Sequence, residues 1–107
     1  MLYSAQEQFE LSINDYEYAI KLSPQDAISY YNLGNTYSYI QQYQQAITAF
    51  TTAVEINPRY ANAFHNRGVV YKSLKQYNQA IEDFNKTIAL TLKMPLPILI
   101  EETRMLN

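Results

Sequence analysis

The feature that most constrains this chain is a regular sequence period. The separation between its two glycines equals the separation between its first two prolines: Gly34 to Gly68, and Pro24 to Pro58. We call this separation one period. Residues 27–60 and 61–94, which are one period apart, are identical at ten positions. A period of this length is typical of stacked units, each of which covers the apolar face of its neighbour.

Each full unit is predicted to contain two helices. Residues 27–40 include no helix-breaking residue except Gly34, and residues 43–56 carry apolar side chains at the three- and four-residue spacing of a helix face. The small residues Gly34 and Ala46 would let the two helices approach closely, with Phe50 filling the space beside them. The equivalent residues one period later predict the same packing in the next unit.

The residues between units contain signals for helix ends. We expect Pro58 at the first position of a helix with Asn57 as its cap, because proline lacks only an N–H that this position does not use. The sequence Ser23-Pro24 repeats this pattern, and Asp26 is placed to complete a capping box.

The residues at fixed positions of the period resemble the tetratricopeptide repeat, a helical motif with a repeat of the same length. Residues 27–60 supply an almost complete set of its signature positions: Tyr30, Leu33, Gly34, Tyr37, Ala46, Phe50, Ala53 and Pro58. Residues 61–94 match less completely, because Arg67 replaces the leucine, Thr87 an alanine and Leu92 the proline. The resemblance implies an all-α fold, a right-handed superhelical solenoid of antiparallel helix pairs.

The same resemblance predicts the domain organisation. The array covers residues 1–94, of which residues 1–26 resemble the last two thirds of a repeat. After Lys93 the repeat is lost, and residues 95–107 form either a tail or a helix that caps the last repeat. Because the partial repeat lacks most of its first helix, we expect the apolar face of residues 9–22 to lack cover.

The residue types that are missing argue against metal sites and catalytic sites. The chain has no cysteine, and its single histidine, His65, has no second metal-binding side chain three or four residues away. Glu82 and Asp83 are adjacent, so they diverge by about 100° around a helix and cannot act as a facing catalytic pair. We therefore expect no enzymatic activity, no metal and no cofactor.

Charge and hydropathy argue against two further classes of partner. A net charge of −2 provides no general attraction for a phosphate backbone, so nucleic-acid binding is not expected. The N-terminus lacks the basic and apolar segments of a signal peptide, and the most apolar stretch, residues 88–100, is too short to span a bilayer. These observations favour a cytoplasmic protein without a membrane partner.

In tetratricopeptide repeats, one face of each first helix lines a concave groove that binds extended peptides. The resemblance puts nine candidate peptide-binding residues on this face: Tyr31, Asn32, Asn35, Tyr39, Asn62, His65, Asn66, Val69 and Lys72. Helical spacing independently assigns the candidates of the first full unit to one side of their helix. We therefore expect Tyr31 and Tyr39 to be surplus to packing and free to contact a ligand.

Two of these candidates share one motif position. Asn32 and Asn66 would form a two-step ladder of amides, each able to bond both polar groups of a peptide unit. This arrangement resembles the asparagine ladder found in some superhelical arrays of the family, and the alternative is a pair of solvent-facing amides. His65 is likewise either a ligand contact or an ordinary surface residue.

One branch of the family binds the C-terminal carboxylate of heat-shock chaperones through a clamp of lysine, asparagine and arginine side chains. Asn35 and Asn66 match two clamp positions, but Tyr31 replaces the first lysine. In the other register, Asn62 and Asn66 replace a lysine and the arginine. Without these cations the groove lacks most of the charge-assisted attraction for a carboxylate. We therefore expect a protein or peptide partner with a neutral, partly apolar, extended segment.

Assembly is the alternative function. Uncovered apolar faces at residues 9–22 and 84–106 would allow copies of the chain to form a homo-oligomer through the terminal repeats. A further alternative is that the segment serves as the adaptor part of a larger multidomain protein.

Overall fold

The computed structural model of the protein describes residues 4–92. Five helices account for nearly all of this part of the chain: α1 (Ala5–Leu22), α2 (Ala27–Tyr39), α3 (Tyr43–Ile56), α4 (Ala61–Ser73) and α5 (Tyr77–Thr91). The most extensive packing is between α2 and α3 and between α4 and α5. The predicted all-α fold of stacked helix pairs is therefore confirmed.

The helices within each pair approach closely at a glycine, as the sequence predicts. A Cβ atom on Gly34 would lie 2.6 Å from Cε1 of Phe50, and one on Gly68 would lie 2.8 Å from Cε1 of Phe84. Phe50 is completely buried, whereas Phe84 is half-buried. The contact in the first pair is therefore the tighter one and has less room to relax.

The two pairs share one hydrophobic core. Its buried members come from α3 and α4, and they include Ala46, Phe50, Ala53, Ala63, Phe64 and Val70. The outer helices contribute less, and α1 has no buried residue. Leu11, Tyr18 and Leu22 of α1 are 44%, 63% and 69% exposed, but they lie on the side opposite its apolar face. The residues of that face are half-buried against α2: Phe9, Ile13, Tyr16 and Ile20. The expectation that this face lacks cover is therefore not confirmed.

Pro24 and Pro58 lie in turns and do not begin helices, so that prediction is wrong. The helix α3 ends at Ile56 with Asn57 as its C-cap, Pro58 lies in the following turn, and α4 starts at Ala61. The side-chain oxygen of Asn57 accepts the backbone N–H of Arg59 at 3.1 Å. Asn57 therefore stabilises a turn between the helices instead of capping the next one.

Asp26 is itself the N-cap of α2 and Ser23 is the C-cap of α1, so the prediction that Asp26 completes a capping box is wrong. Its Oδ1 accepts the backbone N–H groups of Ile28 at 3.1 Å and Ser29 at 3.3 Å, and the Ser29 hydroxyl donates to Oδ2 at 2.7 Å. These bonds, chiefly the one from the Ser29 hydroxyl, lower the pKa of Asp26. Tyr60, the equivalent residue before α4, makes no side-chain cap bond.

Two sequence predictions concern the ends and the environment of the chain. The tail or capping helix at residues 95–107 lies outside the described residues. Among the helices within residues 4–92, none combines the length and hydropathy needed to cross a membrane.

Candidate functional site

A groove with a cavity of about 470 Å³ runs between α2 and α4. The first helices of successive pairs, α2 and α4, have Cα atoms within 8 Å of each other, whereas α3 and α5, over their described residues, do not. The groove is lined by polar and apolar side chains that include Asn35, Ser38, Tyr39, Asn66, Val69 and Ser73. Four of the nine predicted site residues therefore line one cavity.

A hydrogen-bond network joins the two helices at this groove. Nδ2 of Asn66 on α4 donates to Oδ1 of Asn35 at 2.8 Å and to the hydroxyl of Tyr31 at 3.1 Å. These bonds use both hydrogens of the Asn66 amide. They leave the oxygen of Asn66 as an acceptor and the nitrogen of Asn35 as a donor on adjacent helices.

Tyr31 is a packing residue and does not line the cavity, so the expectation that it is surplus to packing is wrong. Its ring centroid lies 4.9 Å from that of Tyr60 and 6.0 Å from that of Phe50. Tyr60 follows the turn after α3 and reaches back over Tyr31. Tyr39, in contrast, is 79% exposed, and its ring centroid lies 5.7 Å from that of Phe9 on α1.

The remaining predicted site residues lie outside the cavity. Asn62, His65 and Lys72 are exposed, and Asn32 is half-buried. The ring of His65 packs 5.6 Å from Phe84, which repeats the contact of Tyr31 with Phe50 one unit earlier. The side chains that line the cavity itself carry no charge.

A buried ion pair joins α4 and α5, and it was not predicted from the sequence. Arg67 donates from Nε and Nη2 to the two carboxylate oxygens of Asp83 at 2.8 Å and 2.7 Å, and from Nη1 to the Thr51 hydroxyl at 3.1 Å. Asp83 is 2% exposed. The bond to Asp83 is the chief cause of the raised pKa of Arg67. Leu33 and Ala49 occupy the equivalent positions, so a residue-by-residue comparison of the two units could have found the pair.

Comparison with solved structures gives relatives of the same architecture. The crystal structure of MamA is 35% identical over 73% of this chain and 46% of that one, with a TM-score of 0.71. MamA 41-end from Desulfovibrio magneticus RS-1 is 27% identical over 80% of this chain and 49% of that one, with a TM-score of 0.76. The chain thus spans about half the length of these MamA structures.

A third solved structure contains a bound peptide. The second TPR of Spaghetti (RPAP3), bound to the HSP90 peptide SRMEEVD, is 28% identical over 79% of both chains, with a TM-score of 0.75. Curated proteins provide no match.

Family models cover most of the chain. The model of the tetratricopeptide repeat matches residues 27–60 and 61–90, and a second TPR-repeat model matches residues 2–39. The chain therefore belongs to the tetratricopeptide-repeat family.

Proposed function

We propose that the protein is a non-catalytic interaction module whose groove between α2 and α4 binds an extended, largely uncharged segment of a partner protein. The observation that carries this proposal is the network of Asn66, Asn35 and Tyr31 at an uncharged cavity. An extended peptide exposes backbone N–H and C=O groups that need partners. The side-chain oxygen of Asn66 accepts a hydrogen bond from a peptide N–H, and the side-chain nitrogen of Asn35 donates one to a peptide C=O.

Apolar contacts supply the rest of the affinity. Tyr39 and Val69 are 79% and 45% exposed beside these amides, one on each helix. A tyrosine ring buries a large area on binding and loses little conformational entropy. We therefore expect the ligand to contribute apolar side chains on both sides of the backbone segment that the amides bond.

The charge of the groove distinguishes it from a site for acidic peptides. The second TPR of Spaghetti holds the acidic peptide SRMEEVD. Here the cavity is lined by uncharged side chains, and Lys72 lies outside it. A ligand carboxylate would lose its hydration without gaining a charge-assisted bond.

A random peptide library displayed on phage will identify ligands for the whole chain, and fluorescence polarisation will measure their affinities. We expect Asn66→Ala to weaken the selected peptides by roughly tenfold, because it removes a ligand bond and releases Asn35. Asn32→Ala should have a smaller effect, and Asn78→Ala, an exposed change on α5, should have none. Equal affinities for the wild type and Asn66→Ala, with helicity unchanged, would refute the groove site.

A second probe tests the charge of the ligand. SRMEEVD with a free C-terminal carboxylate and the same peptide with a C-terminal amide should bind equally weakly. Binding that depends on the free carboxylate would contradict the proposed preference for uncharged segments.

Self-assembly is the second candidate function, and the outer face of α5 favours it. This face exposes Tyr77, Ile81 and Ile88 by 56%, 55% and 55%. Their equivalents one period earlier are half-buried or buried in the shared core: Tyr43, Ile47 and Val54. Sedimentation velocity over a range of concentrations tests this alternative, and a monomer at every concentration would exclude it.

A further inference from the structure

A second cavity, of about 330 Å³, lies between α2 and α3. It is lined by residues that include Tyr30, Leu33, Tyr37, Gln45, Ala49 and Thr52. Residues 30, 33 and 37 share one side of α2, and helical spacing puts them opposite Asn35 and Tyr39 of the groove. The proposed peptide site therefore makes no use of this cavity.

In the equivalent region of the second pair, two cationic side chains lie close to the aromatic rings. The guanidinium of Arg67 lies 5.5 Å from the ring centroid of Phe64 and 5.7 Å from that of Tyr71. Nζ of Lys86 lies 5.0 Å from the centroid of Phe64. Two aromatic rings on one side of α4 therefore hold positive charge supplied by the chain itself.

The first pair presents the same two rings without the cations. One period before Phe64 and Tyr71, the chain has Tyr30 and Tyr37. One period before Arg67 and Lys86, it has the uncharged residues Leu33 and Thr52. Because leucine and threonine are shorter than arginine and lysine, the cavity remains open in the first pair.

The sequence period relates a carboxylate of α1 to a hydroxyl that Arg67 contacts in the second pair. Arg67 donates from Nη1 to Thr51 of α3, and the residue one period before Thr51 is Glu17 of α1. Burial and, to a smaller extent, the charge of Glu17 raise the pKa of Tyr37. Glu17 does not line the cavity, but its charge is close enough to affect the Tyr37 hydroxyl. Lys21 of α1 brings an opposing charge at the position equivalent to Glu55.

We propose that this cavity binds an arginine side chain of a partner protein. The arginine would lie against Tyr30 and Tyr37, and its guanidinium would donate to Glu17, as Arg67 contacts its own rings and Thr51. The aliphatic part of the arginine would pack against Leu33 and Ala49. These residues stand at the positions equivalent to the Arg67–Asp83 ion pair. The protein would thus hold two partner elements, one on each side of α2.

The first test compares two peptides that differ in one charge. Acetyl-Leu-Arg-Leu-amide and the same peptide with citrulline, which is uncharged and nearly isosteric, are titrated into the ¹⁵N-labelled whole chain. We expect the arginine peptide to shift the backbone amides of residues 30–37 and 45–52, with an affinity at least fivefold higher than that of the citrulline peptide. Equal affinities, shifts confined to the groove, or no shift at about 20 mM peptide would overturn the proposal.

Substitutions then assign the contacts. Glu17→Gln should weaken the arginine peptide several-fold, and Lys21→Glu should strengthen it, because both residues are exposed on α1 and change the charge beside the cavity. Unchanged affinities in both variants would remove Glu17 from the site.

Two further variants are designed to close the cavity by placing in the first pair the residues that the second pair has at equivalent positions. Leu33→Arg with Ala49→Asp copies the Arg67–Asp83 pair into the first pair, and Thr52→Lys copies Lys86. Each should abolish arginine-peptide binding. Thr52→Lys changes a half-buried site alone, so it tests the proposal even if the double variant does not fold. Wild-type affinity in a folded form of either variant would contradict the proposal.

Discussion

The two helix pairs share one period, but the residues at their equivalent interior positions differ in chemistry. Between α2 and α3 the interior positions hold Leu33 and Ala49, whereas between α4 and α5 they hold Arg67 and Asp83. The two partners are equally far apart along the sequence in both pairs. The repeat therefore fixes the positions that face each other but leaves their chemistry free, provided that both partners change together.

The comparison also separates burial from ion pairing as sources of stability. Leu33 and Ala49 stabilise the first pair by removing apolar surface from water. Arg67 and Asp83 must first lose their hydration, and the bidentate bond between them offsets that loss. The second pair is thus sensitive to the loss of either partner alone.

The largest predicted effect comes from breaking the ion pair. Asp83→Ala should reduce the free energy of unfolding by about 3–5 kcal/mol, because it leaves the Arg67 guanidinium largely buried without its carboxylate. Urea unfolding followed by circular dichroism measures this change.

The control is the double variant Arg67→Leu with Asp83→Ala, which gives the second pair the residues of the first. We expect it to recover most of the loss and to lie within about 1–2 kcal/mol of the wild type. A double variant as unstable as Asp83→Ala would show that a leucine and an alanine cannot replace the ion pair at these positions.

A smaller effect should distinguish the two glycines. Gly34→Ala forces a Cβ against the completely buried Phe50, and overpacking of this kind destabilises by about 1–3 kcal/mol. Both variants gain about 1 kcal/mol of helix propensity. At Gly68 the new Cβ would also lie 3.2 Å from Cβ of Asp83, but the half-buried Phe84 has more room to move than Phe50, so Gly68→Ala should lose less stability than Gly34→Ala. Thermal unfolding of the two variants checks this order, and a larger loss at Gly68 would reverse the comparison.

The smallest predicted effect concerns the caps. Asp26→Ala should cost about 1 kcal/mol at pH 7, since Asp26 caps α2 while Tyr60 supplies no side-chain cap to α4. Because folding lowers the pKa of Asp26, its contribution is present above the unfolded pKa of about 4 and is lost as the pH falls through the folded pKa.

Urea unfolding of both proteins at pH 7 and at low pH tests this dependence. The difference between the wild type and Asp26→Ala should shrink at low pH. Ser29→Ala should flatten the pH dependence of the wild type, because the Ser29 hydroxyl is the chief cause of the lowered pKa. A difference that grows with acidity would contradict the predicted sign.

The sequence predicts the helix pairs and their closest contact because both depend on local spacing. Gly34 and Phe50 follow from helical periodicity and residue size alone. The residues at which helices begin are harder to predict, because an asparagine followed by a proline suits both a capped helix and a turn. Here the chain after Asn57 forms the turn.

The candidate site was predictable only in outline. Family resemblance indicates which side of α2 and α4 forms the groove, but it does not predict which amides bond each other. Helical spacing could not reveal that Tyr60, from the connection after α3, packs on Tyr31. The bonds of Asn66 to Asn35 and Tyr31 likewise depend on the distance between two helices, which no single repeat encodes.

The central claim is that the groove between α2 and α4 binds an extended, uncharged segment. The most direct test is a ¹⁵N NMR titration of the whole chain with the tightest peptide selected from the phage library. We predict the largest shifts for the side-chain Nδ2 resonances of Asn35 and Asn66 and for the backbone amides of Tyr39 and Val69. Shifts confined to the outer faces of α1 and α5, with both side-chain amides unmoved, would contradict the claim.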